Sequence, residues 1–226
     1  LMRQAQIGYY ACITHLDHQI GRLIMGLVEH EIYEDTVILF TSDHGEELCD
    51  HHMFRKSRPY EGSCRIPLLF RAGSGTGITV KSGQRCHSVA ELRDIMPTLL
   101  DIAGAEIPDS VDGKSLLPLA ADTGQTVRGW LHGEHSYGDF SNHWIVTEHD
   151  KYIWYPETGQ EQYFDLSEDP HELTDLSADP GCQARISQLR GYLIQSLKDR
   201  KEVFTDGKKL IIGRPYPPTL ETASMP

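Results

Sequence analysis

Apolar residues recur at three- and four-residue steps through residues 7–30. Ile13, Leu16, Ile20, Leu23, Ile24, Leu27 and Val28 share one side of a helical wheel, and Asp17, Gln19 and Arg22 fall elsewhere. The spacing predicts a helix, followed by a polar break at Glu34-Asp35. The period then changes. Thr36-Val37-Ile38-Leu39-Phe40-Thr41 is a continuous, β-branched apolar run, the pattern of a strand buried on both faces. It stops abruptly at Ser42-Asp43-His44-Gly45. Helix, buried strand and polar loop is the order of an α/β sheet, in which ligand sites gather at the carboxyl ends of strands. A second strand is expected at 66–71, with Pro67 at its start or edge. Residues 94–103 predict a helix with Ile95, Leu99 and Ile102 on one face. Asp94 is its expected cap, Pro97 sits in its first turn, and Gly104 stops it.

Beyond Thr123 the pattern shortens. Trp144-Ile145-Val146-Thr147, Tyr152-Ile153-Trp154-Tyr155 and Gln162-Tyr163-Phe164-Asp165-Leu166 predict a small antiparallel sheet of three or four strands. Turns are expected at His149-Asp150 and Glu157-Thr158-Gly159. A helix is expected over 181–201, with Ile186, Leu189, Leu193, Ile194 and Leu197 facing inward. An extended tail begins at Arg214. The expected division is residues 1–125, part of an α/β domain, and 126–226, a small sheet-and-helix subdomain.

Charge refines this picture. Residues 134–179 carry twelve acidic side chains and one basic one, Lys151. Residues 181–214 carry eight basic and three acidic ones, so the helix is expected to pack beside the acidic sheet. The whole chain of 226 residues has 21 basic and 33 acidic side chains, a formal net charge of −12. That balance argues against a grip on nucleic acid, which needs a cationic surface. No apolar run approaches the roughly 18–20 residues that span a bilayer. Cys12, Cys49, Cys64, Cys86 and Cys182 are dispersed, which argues against a disulfide framework and a thiolate metal site. The chain opens on Leu1, already close to the periodic helix, and a fragment of a longer protein is the expectation.

Candidate chemistry concentrates after the first strand. Asp43 and His44 place a hard oxygen donor beside an imidazole, a pair suited to a metal ion, although Ser42 or Asp43 would also serve as a helix N-cap. Asp50-His51-His52 offers further donors or ordinary loop histidines. Arg55-Lys56-Ser57-Arg58 is a basic cluster suited to anionic oxygens or to a solvated surface. His132-Gly133-Glu134-His135 could form a further metal or substrate group.

Taken in order, these stretches resemble the carboxyl-terminal half of the sulfatase family within the alkaline phosphatase superfamily. The resemblance runs from the strand through Ser42-Asp43-His44-Gly45, Asp50-His51, Lys56, Tyr60-Glu61-Gly62 and Arg65-Ile66-Pro67-Leu68. It continues through Asp94 to Gly104, Asp112-Gly113-Lys114-Ser115-Leu116 and Tyr163-Phe164-Asp165-Leu166 to Asp169-Pro170-His171-Glu172-Leu173, covering about residues 7–180.

The resemblance implies an α/β fold. This would be part of a mixed alkaline-phosphatase-like sheet flanked by helices, with a small antiparallel sheet and packed helix after it. It implies that Asp43 and His44 ligate a divalent cation, usually calcium, with manganese or another ion in some relatives. Lys56 would contact sulfate oxygens and His51 would lie near the site; Tyr60 and Glu61 are assigned to structure. Cys49 and His52 replace two customary glycines. The family's nucleophile, a formylglycine made in a Cys/Ser-x-Pro/Ala-x-Arg motif, has no counterpart here. Nor do its amino-terminal Asp pair and its other sulfate-binding Lys and His. The expectation is a fragment, inactive alone, of a metal-dependent hydrolase of a small-molecule or sugar sulfate ester, completed by a missing amino-terminal half. A phosphoesterase or phosphonate monoester hydrolase of the same superfamily is the alternative, as is a non-catalytic remnant. Cutting the sheet would also expose apolar surface, so the isolated chain is expected to be poorly soluble.

Overall fold

The computed structural model describes residues 1–136 and 141–214. Its elements in chain order are α1 (Met2–Glu29), β1 (Val37–Thr41), α2 (Glu61–Cys64), β2 (Leu68–Ala72), α3 (Ile95–Ile102), α4 (Leu117–Ala121), β3 (Leu131–His135), β4 (Asn142–Val146), β5 (Asp150–Trp154), β6 (Glu161–Asp165) and α5 (Gln183–Leu197). Among the described residues no helix is long and apolar enough to cross a membrane. The tail expected after Arg214 lies outside the described residues. The chain divides into two compact units. Residues Leu1–Arg55 and Arg65–Val127 form the first, and Lys56–Cys64 with Arg128–Pro226 the second.

In the first unit, β1 and β2 pair antiparallel, with Leu39 opposite Phe70 and Thr41 opposite Leu68. The apolar run of β1 predicts burial on both faces, but every residue of the strand is half-buried. The reason is topological. β1 and β2 form a two-stranded sheet among the described residues, and such a sheet cannot cover both of its own faces. One face carries Leu39, Leu68 and Phe70 into an apolar cleft completed by Ala90, Leu116, Leu119 and Ala120. The helix α1 starts earlier than its periodicity indicates and buries none of its residues. Its stripe is only partly covered: Ile20, Ile24 and Leu27 are half-buried, while Leu16 and Leu23 are 51% and 66% exposed.

Asp94 does not cap α3 as expected. It is fully buried and completes a capping box with Glu91 one turn earlier. Its Oδ2 accepts from the Glu91 amide at 2.9 Å and its Oδ1 from the Lys114 amide at 2.8 Å. Thr98 Oγ1, also buried, accepts from the Leu116 amide at 2.9 Å. These two side chains clamp the Asp112–Leu116 stretch onto α3. Gly113 is required there, since a Cβ at that position would meet the Arg93 carbonyl oxygen at 1.9 Å. Gly104 ends the helix with φ 64°.

In the second unit, β3-β4-β5-β6 form an antiparallel sheet in sequence order. Strand alternation sorts its side chains into two faces. Ile145, Tyr152, Trp154 and Tyr163 face Ile186, Leu189, Leu193 and Leu197 of α5, and Phe204 joins this core. Charge pairing locks the helix in place, as the acidic and basic segments predict. Arg185 Nε lies 2.6 Å from Asp150 Oδ2, and Arg190 Nη2 2.6 Å from Glu161 Oε2. Ile194 is half-buried rather than inward-facing. The opposite face carries Lys151, Ile153, Gln162 and Phe164, and takes up residues 56–64. The Tyr60 hydroxyl donates to Gln162 Oε1 at 3.2 Å, and its ring meets Phe164 edge-on at 6.1 Å. Lys151, fully buried, donates to the Pro59 carbonyl and lies 2.8 Å from both Glu61 and Glu172. Burial opposes its ammonium, but the charges of Glu172 and Glu61 outweigh that and raise its pKa. Glu61, expected to be structural, is the anchor of this segment.

Candidate cation and sulfate-binding residues

Asp43 and His44 lie just beyond the carboxyl end of β1, where the strand gives way to a polar loop. Ser42 Oγ donates to the His44 carbonyl at 2.7 Å, and Asp43 Oδ1 accepts from the His44 amide at 2.9 Å. No helix starts here, so neither residue is an N-cap. His44 Nδ1 lies 2.8 Å from the Gly45 carbonyl oxygen. A carbonyl can accept but not donate, so Nδ1 carries a proton and Nε2 is the ring nitrogen left to face Asp43. That Nε2 lies 3.5 Å from Asp43 Oδ2. With the ring neutral, Nε2 and Oδ2 would present two ligand atoms to the same point. An ion about 2.4 Å from each, in the calcium range, would subtend roughly a right angle. The pair therefore fits two adjacent positions on a divalent ion.

The loop that follows is tightly wound. Cys49 donates to the Met53 carbonyl at 2.7 Å and Glu47 to that of Arg55 at 2.8 Å. The Glu46 carboxylate accepts from the amides of Leu48 and Arg55. Leu48, Cys49, His51, His52 and Arg55 all have positive φ. His51 is half-buried on this turn.

Lys56 belongs to the second unit, whereas Asp43, His44 and His51 belong to the first. Lys56 is exposed, and its charge and that of Arg58 reach His135. Burial first, and then these two cations, lower the His135 pKa and favour the neutral ring. The basic cluster and the last residue of the His132–His135 run thus converge on one face of the sheet. The sequence singled out both without joining them, because β3 is what brings them together. His143 escaped sequence reasoning altogether. It stands opposite Glu134 in the β3–β4 pair, and the trace was the His-x-Glu alternation followed by a returning strand.

A family model described as N-sulphoglucosamine sulphohydrolase, C-terminal, matches residues 49–199. An arylsulfatase of Clostridium perfringens is 49% identical over 214 residues, covering 95% of this chain and 44% of that protein. The chain belongs to the sulfatase family. Human arylsulfatase K is 35% identical, covering 75% of the chain and 33% of that sulfatase. A structure solved with its substrate D-glucosamine-2-N,6-O-disulfate superposes with TM-score 0.75 at 26% identity, covering 82% of this chain and 39% of that one. A phosphonate monoester hydrolase from Silicibacter pomeroyi superposes with TM-score 0.71 at 27% identity, over 81% of this chain and 39% of that one. The fold is thus that of the alkaline-phosphatase-like sulfatases. The chain spans less than half the length of these relatives. Set against the sulfatase pattern, the two replaced glycines, Cys49 and His52, stand at φ 89° and 61°. They keep a left-handed backbone that glycine adopts at no steric cost.

Proposed function

We propose that this chain supplies the carboxyl-terminal part of the active site of a sulfuric ester hydrolase. The observation that carries the reading is the Asp43 Oδ2–His44 Nε2 pair, two potential ligand atoms 3.5 Å apart beyond a strand's carboxyl end. Asp43 and His44 would hold a divalent cation. Calcium is the expected ion, and manganese or another divalent ion the alternative. Bound there, it would polarise the sulfuryl oxygens. Lys56 would neutralise charge on the non-bridging oxygens, and Arg58 beside it would add to the field that draws an anion in. His51, on the wound loop, would lie near the site. Two protein ligands fall short of the six to eight oxygens calcium prefers. The remaining ligands and the formylglycine nucleophile would come from sequence upstream of Leu1, and the chain alone would be inactive. The relative solved with a disulfated glucosamine supports a sulfated sugar as the substrate class.

Phosphonate monoester hydrolysis is the second reading, favoured by the likeness to such hydrolases at 27% and 30% identity. A cation and a lysine serve either tetrahedral anion. Extending the reading frame upstream of Leu1 separates the readings. A Cys/Ser-x-Pro/Ala-x-Arg motif with an Asp pair is expected; a plain Thr at the nucleophile position favours the phosphorus ester, and a stop codon refutes both.

A further inference from the structure

We propose that His132, Glu134 and His143 form a transition-metal site, for zinc, on the sheet face that packs against α5. The site lies wholly in the second unit and stands independently of the Asp43–His44 reading. Strand geometry assembles it. His132 and Glu134 are two apart on β3 and so share a face. Glu134 is directly opposite His143 on β4, while His132 is opposite Ile145 and thus diagonal to His143. His132 Nε2 lies 3.2 Å from His143 Nδ1, and His143 Nδ1 lies 3.3 Å from Glu134 Oε2. The three donor atoms lie within 4.8 Å of one another.

Those separations are the edges of a small coordination polyhedron. With zinc–ligand bonds of about 2.0–2.1 Å, tetrahedral geometry puts neighbouring donor atoms about 3.3–3.4 Å apart. Two edges of the triad already have that length. A ring proton on His143 Nδ1 can be shared with one of these two neighbours at a time, whereas a dication bonds all three donors at once. Two imidazoles and one carboxylate form a set of borderline softness, which suits zinc better than calcium or magnesium.

The surroundings favour a fixed site. The His143 ring is fully buried, with Trp154 at 5.8 Å and Phe204 edge-on at 5.1 Å, so its orientation is set by packing. Arg200 Nη1 lies 2.5 Å from Glu134 Oε2, and its Nη2 lies 2.7 Å from Glu202. A carboxylate has about four lone-pair directions, so Arg200 can orient Glu134 without exhausting it. Arg200, Glu134 and Glu202 together carry one net negative charge, which compensates part of an incoming dication. His132 is half-buried on the edge strand, which leaves a path of entry. Three protein ligands leave a fourth position for water. The ion would tie edge strand β3 to β4 and so steady His135, which faces the Lys56–Arg58 cluster from the other side of β3.

The test uses the full chain, stripped with a chelator and dialysed against zinc, with cobalt(II) as a spectroscopic probe. Asp43→Asn/His44→Gln removes the other candidate ligand pair. About one zinc equivalent is expected in both proteins, with the visible absorption of tetrahedral cobalt. His132→Gln and Glu134→Gln are each expected to weaken zinc at least tenfold and to abolish that absorption. Both positions lie outside the fully buried core, and circular dichroism verifies their folding. Zinc retained undiminished in both variants, zinc lost in Asp43→Asn/His44→Gln, or no zinc bound by the parent chain would each overturn the proposal.

Discussion

Lys151→Met isolates the interaction that holds the Lys56 segment in place. Lys151 is fully buried and lies 2.8 Å from Glu61, from Glu172 and from the Pro59 carbonyl. Methionine matches its length and removes its charge. Two carboxylates then face each other without their shared cation, one with 17% and the other with 1% of its side chain exposed. Breaking a buried pair by removing one partner costs about 3–5 kcal/mol. The lost bond to Pro59 falls within that range, since contributions from one network do not add. With a urea slope near 2 kcal/mol per molar, the midpoint should drop by about 1.5–2.5 M. Tryptophan fluorescence reports the second unit selectively, because Trp130, Trp144 and Trp154 all belong to it. Adding Glu61→Gln and Glu172→Gln should recover more than half of the loss, because the uncompensated charges are gone. A Lys151→Met chain within about 1 kcal/mol of the parent would refute this account of a buried charge cluster.

Cys49→Gly and His52→Gly should each stabilise the first unit by about 0.5–1 kcal/mol, relief of left-handed strain outweighing the added chain entropy; calorimetry showing a loss in both would contradict the assigned backbone. For Asp150, burial raises the carboxyl, but bonds from Arg185, Thr147 and Tyr163 outweigh it and hold its pKa below 3.8. Its contribution is therefore complete above pH 3.8 and is lost as the pH falls through the folded value. Asp150→Asn should flatten that part of the stability–pH curve, and an unchanged slope would remove Asp150 from the explanation. The partly exposed α1 stripe should drive self-association of the isolated chain, and Leu16→Lys with Leu23→Glu should shift light scattering toward the monomer; a monodisperse parent would oppose this.

Elements built from local patterns were legible in the sequence. The α1 and α5 periodicities, the apolar runs of β1 and β2, and the β4–β5 and β5–β6 hairpins follow from spacing and turn residues alone, whereas β3 was not read as a strand. The charge reversal between residues 134–179 and 181–214 foretold that the helix packs beside the sheet, since opposite composition on adjacent elements needs no register to be favourable; the individual pairs, Arg185 with Asp150 and Arg190 with Glu161, come from the structure. What escaped depends on long-range placement. Nothing around Lys151 indicates that its partners are Glu61 and Glu172. Asp94 reads as a local cap, but its second acceptor bond reaches Lys114 across a loop. Half-burial of β1 could not be read from its composition, which reports what a strand is suited to and not what covers it. At the candidate site, Asp43 and His44 were visible as adjacent donors. The ring orientation that turns His44 Nε2 toward Asp43 is seen only in the structure, where Nδ1 meets the Gly45 carbonyl.

Hydrolysis measured on the protein extended upstream of Leu1 tests the central claim most directly. Turnover of 4-nitrophenyl sulfate should exceed that of a matching phosphonate monoester. It should require a divalent cation and fall by at least a hundredfold in both Asp43→Asn and Lys56→Ala, each of which removes charge from the reacting centre. Turnover of the phosphonate alone, or sulfate ester hydrolysis undiminished in both variants, would contradict the account.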